Sequence, residues 1–297
     1  MYSYVEKNIF VNNLKIHTES FGKSSNPACI LIAGKMCTAR FWTDVFCQYL
    51  ADKGFFIIRY DHRDVGESSE IDWQKEPYTM SALAKDAILI MNSYEIKKAH
   101  FIGNSMGGWI CQKIGIDYPE NVLSLVIISA GPIEKTEEKS FSLTVKEQEM
   151  LDKTPEFFNA CKDGKALKDT VQSYLPAWRY LNAEIPLDKE MAKNFTLDFL
   201  SRTKNKNAGK NHEFLMQDFL ANMKISNLLQ KIDLPTLVIH GDKDPIVFLR
   251  HGKAVADAIS KSRFIMIKGM GHTFFNRTLE EKIANLVIEH ISQIQKS

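Results

Sequence analysis

The stretch Phe101-Ile102-Gly103-Asn104-Ser105-Met106-Gly107-Gly108-Trp109 decides the architecture. A short apolar run, residues 100–102, enters a Gly-x-Ser-x-Gly turn, and the turn opens directly into a segment with helical spacing, residues 106–118. Glycines two before and two after Ser105 leave room for a strand-to-helix turn so sharp that the serine backbone is strained. Its hydroxyl is then pushed out at the strand's carboxyl end, the edge at which open α/β sheets bind ligands. A bare Gly-x-Ser-x-Gly is also compatible with a mere glycine-rich turn; the flanking strand and helix are what make Ser105 a candidate nucleophile.

Working outward, apolar runs at 29–33, 55–60, 123–129, 236–240 and 263–267 alternate with helical patterns at 41–53, 80–94, 250–260 and 279–294. Strand alternating with helix is the signature of βαβ units and a parallel sheet, and continuous Val/Ile/Leu content suits strands buried on both faces. Residues 9–16 predict an antiparallel hairpin about Asn12-Asn13, since asparagine tolerates the positive φ of a tight turn. The alternation stops at Gly131-Pro132 and resumes at Leu234-Pro235. We therefore expect a core of residues 1–132 and 232–297 and a helical cap of residues 133–231. The cap segment is rich in aromatics, among them Phe157, Phe158, Trp178, Phe195, Phe199 and Phe214, which suit a small helical core or, in part, a pocket wall.

A serine hydroxyl needs a base, and the base an orienting carboxylate. The run 236–240 ends in Gly241-Asp242-Lys243-Asp244-Pro245, and the run 263–267 in Lys268-Gly269-Met270-Gly271-His272, so both loops top the edge that carries Ser105. The chain order Ser, Asp, His is the one expected for this architecture. His272 is the candidate base; His62, His100, His240 and His251 lack such a glycine loop. Asp244 is favoured over Asp242 as the acid. Asp242, following Gly241, suits an Asx bond to its own turn, whereas Pro245 biases Asp244 toward an extended presentation. The oxyanion of acyl transfer needs two backbone N–H donors. Met106 offers one; the loop Gly34-Lys35-Met36 offers the other, from Lys35 or, as the alternative, Met36. That loop is not a phosphate loop, since Cys29 stands where its first glycine belongs and Met36 replaces its serine or threonine.

The 297 residues are 44% apolar and a quarter charged, with a formal net charge of +2, values of an ordinary folded protein without the basic footprint of a nucleic-acid binder. The lysine-rich stretch 204–210 reads as a solvated loop. Five cysteines, Cys29, Cys37, Cys47, Cys111 and Cys161, form neither a CxxC pair nor a metal spacing, and their odd number argues against a disulfide framework. A cytoplasmic location is expected, with no signal peptide, membrane span, metal or cofactor, and a homo-oligomer is left open.

On these residues the chain resembles the α/β-hydrolase superfamily from its opening hairpin to its last helix. Gly103-Asn104-Ser105-Met106-Gly107-Gly108 is similar to the family's nucleophile elbow, Gly241-Asp242-Lys243-Asp244 to its acid loop and Gly271-His272 to its histidine loop. Asp61-His62-Arg63-Asp64-Val65-Gly66-Glu67-Ser68 resembles the family's Asp-x-Arg-Gly-x-Gly-x-Ser turn, with Asp64 in place of the glycine, as in members similar to anthracycline methyl esterases. Ala33-Gly34 departs from the His-Gly of many members. The resemblance implies an α/β fold with an eight-stranded, mostly parallel sheet, flanking helices and a helical cap insertion after the sixth strand. It implies a serine hydrolase that cleaves a small-molecule carboxylic ester with a Ser-His-Asp triad. Two alternatives stand beside it: a cofactor-free perhydrolase of the non-haem haloperoxidase kind, and a ligand-binding receptor with little turnover.

Overall fold

Isoleucine, valine and leucine crowd the middle strands because both faces of the sheet are covered. The computed structural model describes residues 4–11, 13–135, 143–159, 167–205 and 208–294, the side chains of 155–159 excepted. Asn12, Cys161, two residues of the lysine-rich loop, Lys206 and Asn207, and the side chains of Phe157 and Phe158 thus lie outside the described residues. The strands are β1 (Val5–Val11), β2 (Leu14–Phe21), β3 (Ala28–Ile32), β4 (Phe56–Tyr60), β5 (Ala99–Asn104), β6 (Val122–Ile128), β7 (Thr236–Gly241) and β8 (Ser262–Ile267). They form one eight-stranded sheet in the order β1-β2-β4-β3-β5-β6-β7-β8. The β1–β2 and β2–β4 pairs are antiparallel and the rest parallel. Asn13 takes φ 66° in the expected hairpin turn.

The helices of the core are α1 (Asp44–Asp52), α2 (Met80–Ser93), α3 (Met106–Asp117), α9 (Leu249–Ala258) and α10 (Arg277–Ile294), with α4 (Val145–Asn159), α5 (Leu167–Ser173), α6 (Leu175–Asn182), α7 (Lys189–Arg202) and α8 (Lys210–Ala221) between β6 and β7. Successive strand residues point to opposite faces. Ile30, Ile32, Leu125, Ile127 and Val238 pack with α2, α3 and α9, whereas Leu31, Val126, Ile128, Leu237 and Ile239 pack with α1, α10 and residues of α6 and α7. One expectation needs correction. The run at 263–267 forms β8, an edge strand of intermediate exposure with Met266 half exposed, so it is not buried on both faces. Its apolar composition reflects only the face that meets the core.

Parallel register brings the carboxyl ends of the strands level. Ile32 pairs with Gly103, Asn104 with Ile128, Ile128 with Ile239, and Gly241 with Ile267. The loops after β3, β5, β7 and β8 therefore open along one rim. The inserted segment leaves and returns side by side: Lys135 N–H donates to Lys224 C=O at 2.9 Å, and Glu134 accepts from the amides of Leu228 and Leu229. Among the described residues no helix is long and apolar enough to cross a membrane.

Candidate active site

Ser105 stands between β5 and α3 with φ 54° and ψ −120°, a left-handed conformation that costs a non-glycine residue on the order of 1–3 kcal/mol. Its backbone N–H donates to Ile128 C=O at 2.9 Å, which anchors the turn to β6. Both flanking glycines are required by close approach. A Cβ on Gly103 would stand 2.1 Å from the Gly107 carbonyl oxygen, and one on Gly107 would stand 2.2 Å from that of Ile32. The turn is this tight because α3 begins pressed against the ends of β3 and β5.

His272 lies 2.9 Å from Ser105 Oγ through Nε2 and 2.8 Å from Asp244 Oδ2 through Nδ1. An ionised carboxylate only accepts, so Nδ1 carries the proton and Nε2 is left to accept from the serine hydroxyl. Asp244 is 3% exposed and His272 7%, so both act where water screens little. Burial pushes the Asp244 carboxyl up, but the adjoining His272, the hydrogen bond from it and His240 outweigh burial and hold the group below its ordinary value. The His272 backbone N–H donates to Leu181 C=O at 2.7 Å, and a Cβ on Gly271 would collide with that same oxygen. A glycine beside the histidine thus lets α6 approach and hold the loop.

The two aspartates exchange their expected local bonds. Asp242 does not close its own turn; its carboxylate crosses to the histidine loop and accepts from Gly269 N–H at 2.5 Å, because the β7–β8 register sets the two loops side by side. The Asx motif belongs to Asp244, whose Oδ1 accepts from Ile246 and Val247 N–H, both at 2.9 Å, while Oδ2 remains for His272.

The loop after β3 abuts the serine: a Cβ on Gly34 would lie 3.3 Å from Ser105 Cβ. Of the two amides considered there, that of Met36 is engaged elsewhere, donating to His212 Nδ1 at 3.0 Å. Met106, the first residue of α3, follows Ser105 directly. The Lys35 side chain points outward, with Nζ 3.5 Å from Glu213. His212 was not singled out in the sequence; it is buried on α8, 176 residues from Met36, and no local pattern could have linked them. His62 was set aside as a base and read as part of a turn; its Nε2 meets Ala33 C=O at 3.0 Å. That turn is hydrogen-bonded, with Asp61 accepting from Ala39 and Glu67 N–H. Asp64, at φ 73°, accepts from Ile71 N–H and Tyr78 Oη–H.

Trp178 of the insertion packs edge to face on Phe195 and on Phe275, and Phe195 lies tilted against Phe275, in a cluster that also holds Phe41 and Phe274. Trp178 Nε1–H is satisfied by Thr196 Oγ1 at 2.8 Å. These rings are buried and pack as part of the core. Glu6, His17 and Glu19 approach one another closely enough to share a cation. Arg40 and Arg59 already occupy the Glu19 carboxylate, so that cluster is an ion-pair site.

Comparison with known proteins places the fold in a family. The chain is 28% identical over 94% of its length to the rhodomycin D methylesterase DauP of Streptomyces sp. (strain C5), covering 95% of that protein. It is 27% identical to the rhodomycin D methylesterase DnrP of Streptomyces peucetius, with the same coverage of both chains. Among solved structures, the esterase EaEST from Exiguobacterium antarcticum superposes with a TM-score of 0.74 at 17% identity, covering 98% of this chain and 100% of that one. A sequence model of the α/β-hydrolase fold matches residues 29–276, most of the chain, and the protein belongs to the α/β-hydrolase family.

Proposed function

We propose that this α/β-hydrolase is a serine esterase in which Ser105 is the nucleophile, His272 the general base and Asp244 the acid that orients it. The observation that carries the reading is the unbroken chain from Ser105 Oγ through the His272 imidazole to Asp244, on a serine at φ 54°. Similarity to two methylesterases along nearly the whole chain supports a carboxylic ester as the substrate class.

In this reading Ser105 Oγ attacks the ester carbonyl carbon as its proton passes to His272 Nε2. The negative charge that develops on the carbonyl oxygen is met by the N–H groups of Met106 and Lys35, fixed backbone dipoles that need no reorganisation. Collapse of the tetrahedral intermediate breaks the bond to the leaving alkoxide, which takes the proton from His272 and departs as an alcohol. Water then repeats the sequence on the acyl-serine, releasing the carboxylic acid. Buried Asp244 keeps Nδ1 protonated and stabilises the imidazolium.

Residues 133–231 act as a cap in this proposal. Contacts of the segment with both catalytic loops support it: Leu181 C=O holds the His272 loop, and His212 holds Met36. A fluorophosphonate probe tests the nucleophile. Stoichiometric phosphonylation should map to Ser105 and vanish in Ser105→Ala; labelling that persists in that variant, or maps to another serine, sinks the assignment.

A further inference from the structure

The loop from Ala33 to Met36 is gripped at both ends by histidines that take no part in proton transfer. His62 Nε2 stands 3.0 Å from Ala33 C=O, and an imidazole facing a carbonyl oxygen must donate there. His212 reads the opposite way. Its Nδ1 accepts from Met36 N–H at 3.0 Å, so its Nε2 carries the proton, and that proton goes to Arg63 C=O at 2.9 Å. Both rings are buried and stand edge to face, with centroids 5.8 Å apart. Burial, with the neighbouring His62, pushes His212 down to about 3, and burial pushes His62 down to about 4, so both are neutral at ordinary pH. Neutrality matters for His212, since an imidazolium has no lone pair with which to accept the Met36 amide.

Met36 has φ 60°, a left-handed conformation unfavourable for its side chain; Cys37 N–H donating to Gly34 C=O closes the turn around it, and the His212 bond orients the Met36 amide within that turn. Two residues back, Gly34 lies against Ser105. An oxyanion hole works only if its donors are set to within a few tenths of an ångström before the charge appears. Resting on the serine-esterase reading above, we infer that His212 is a positioning residue for the oxyanion loop. By accepting Met36 N–H it turns that amide away from Ser105 and leaves Lys35 N–H as the loop's donor.

The helix that delivers His212 is bolted down at the same place. On α8, Asn211 Nδ2–H donates to Ile71 C=O at 2.9 Å, Leu215 is buried in the main core, and Glu213 meets Lys35. The oxyanion hole is therefore complete only while α8 is docked. A helix of the insertion, not the sheet alone, finishes the catalytic edge.

The test compares three substitutions that part the two bonds of the ring. In His212→Asn the amide oxygen stands near the Nδ1 position and can still accept from Met36; in His212→Gln the amide stands near the Nε2 position and can serve only Arg63; His212→Phe keeps the ring and loses both. With a p-nitrophenyl ester, His212→Gln and His212→Phe should lower kcat about 30- to 100-fold with KM within about threefold, because the oxyanion exists only in the transition state. His212→Asn should recover to within about fivefold of the parent. Affinity for a trifluoromethyl ketone, which forms an oxyanion adduct, should fall in parallel with kcat/KM, while affinity for the corresponding alcohol should not. If His212→Phe fails to fold, the Asn and Gln pair decides alone. Equal kcat for Asn and Gln, or a loss seen in KM only, would overturn the positioning role. Ser105→Ala run alongside separates the two ideas: turnover surviving there defeats the esterase reading itself, whereas a dead Ser105→Ala with a fully active His212→Gln defeats only this inference.

Discussion

At the scale of single residues, the proposed triad can be told apart from the groups that hold it. Ser105→Ala should lower kcat by about 10⁴ or more with the fold intact, since among the described residues its side chain bonds only the His272 ring. Circular dichroism and steady-state turnover check this, and near-normal turnover contradicts it. The two aspartates give a sharper contrast. Asp244→Asn should cost roughly 10³–10⁴ in kcat, because an amide no longer enforces the tautomer with its proton on Nδ1. Asp242→Asn should cost less than about tenfold, because the side-chain oxygen can still accept from Gly269 N–H. A larger loss at 242 than at 244, in equally folded proteins, reverses the roles.

At the scale of elements, packing at the serine turn is the most constrained. Gly107→Ala would drive a methyl into the Ile32 carbonyl at the start of α3, so overpacking of about 1–3 kcal/mol or more is expected in urea unfolding. A change under about 0.5 kcal/mol would mean that α3 can back away from β3. Trp178→Ala, which removes the ring at the centre of the aromatic cluster, should cost about 3–5 kcal/mol. Its ester preference should stay unchanged, and a shift in kcat/KM ratios across acyl lengths would return this ring to the pocket wall. The elements themselves were largely legible. Continuous apolar runs marked β3 to β7, and the Gly-x-Ser-x-Gly turn told where β5 ends and α3 begins. Local spacing could not reveal that β8 is an edge, because an edge strand and a central strand differ in what lies beside them. Nor could it reveal the partner of Asp242, which depends on β7–β8 register, or the His212–Met36 bond, which joins segments unrelated by any periodicity.

At the scale of the whole molecule, the histidines make the fold sensitive to acid. Burial pushes His62, His100, His251 and His290 down to about 4 and His212 down to about 3. In the unfolded chain these rings protonate near pH 6.5, so below that value the unfolded state binds protons that the folded state refuses. Stability should therefore be full above about pH 6.5 and fall as pH drops toward 4, by about 3 kcal/mol for each of the fully buried His62 and His212. The carboxyls of Asp61 and Asp86, raised by burial, take up protons on folding and offset part of this at the acid end. Urea midpoints measured from pH 7.5 to 4.5 check the sign, and a midpoint that rises on acidification contradicts it. His62→Asn should flatten the profile.

The tie at Glu134 has a consequence for how this chain can diversify. Because Lys135 and Lys224 are hydrogen-bonded neighbours, about ninety residues of sequence depart from and return to nearly one point on the molecule. Lengthening a loop within that segment leaves the strand order and the register of β6 on β7 undisturbed, and adds only the slow logarithmic cost of a longer loop. The inserted helices are in this sense a graft on a single stem. The sheet can accept a different insertion at the same stem, provided that the new segment again brings partners for the Met36 and His272 amides.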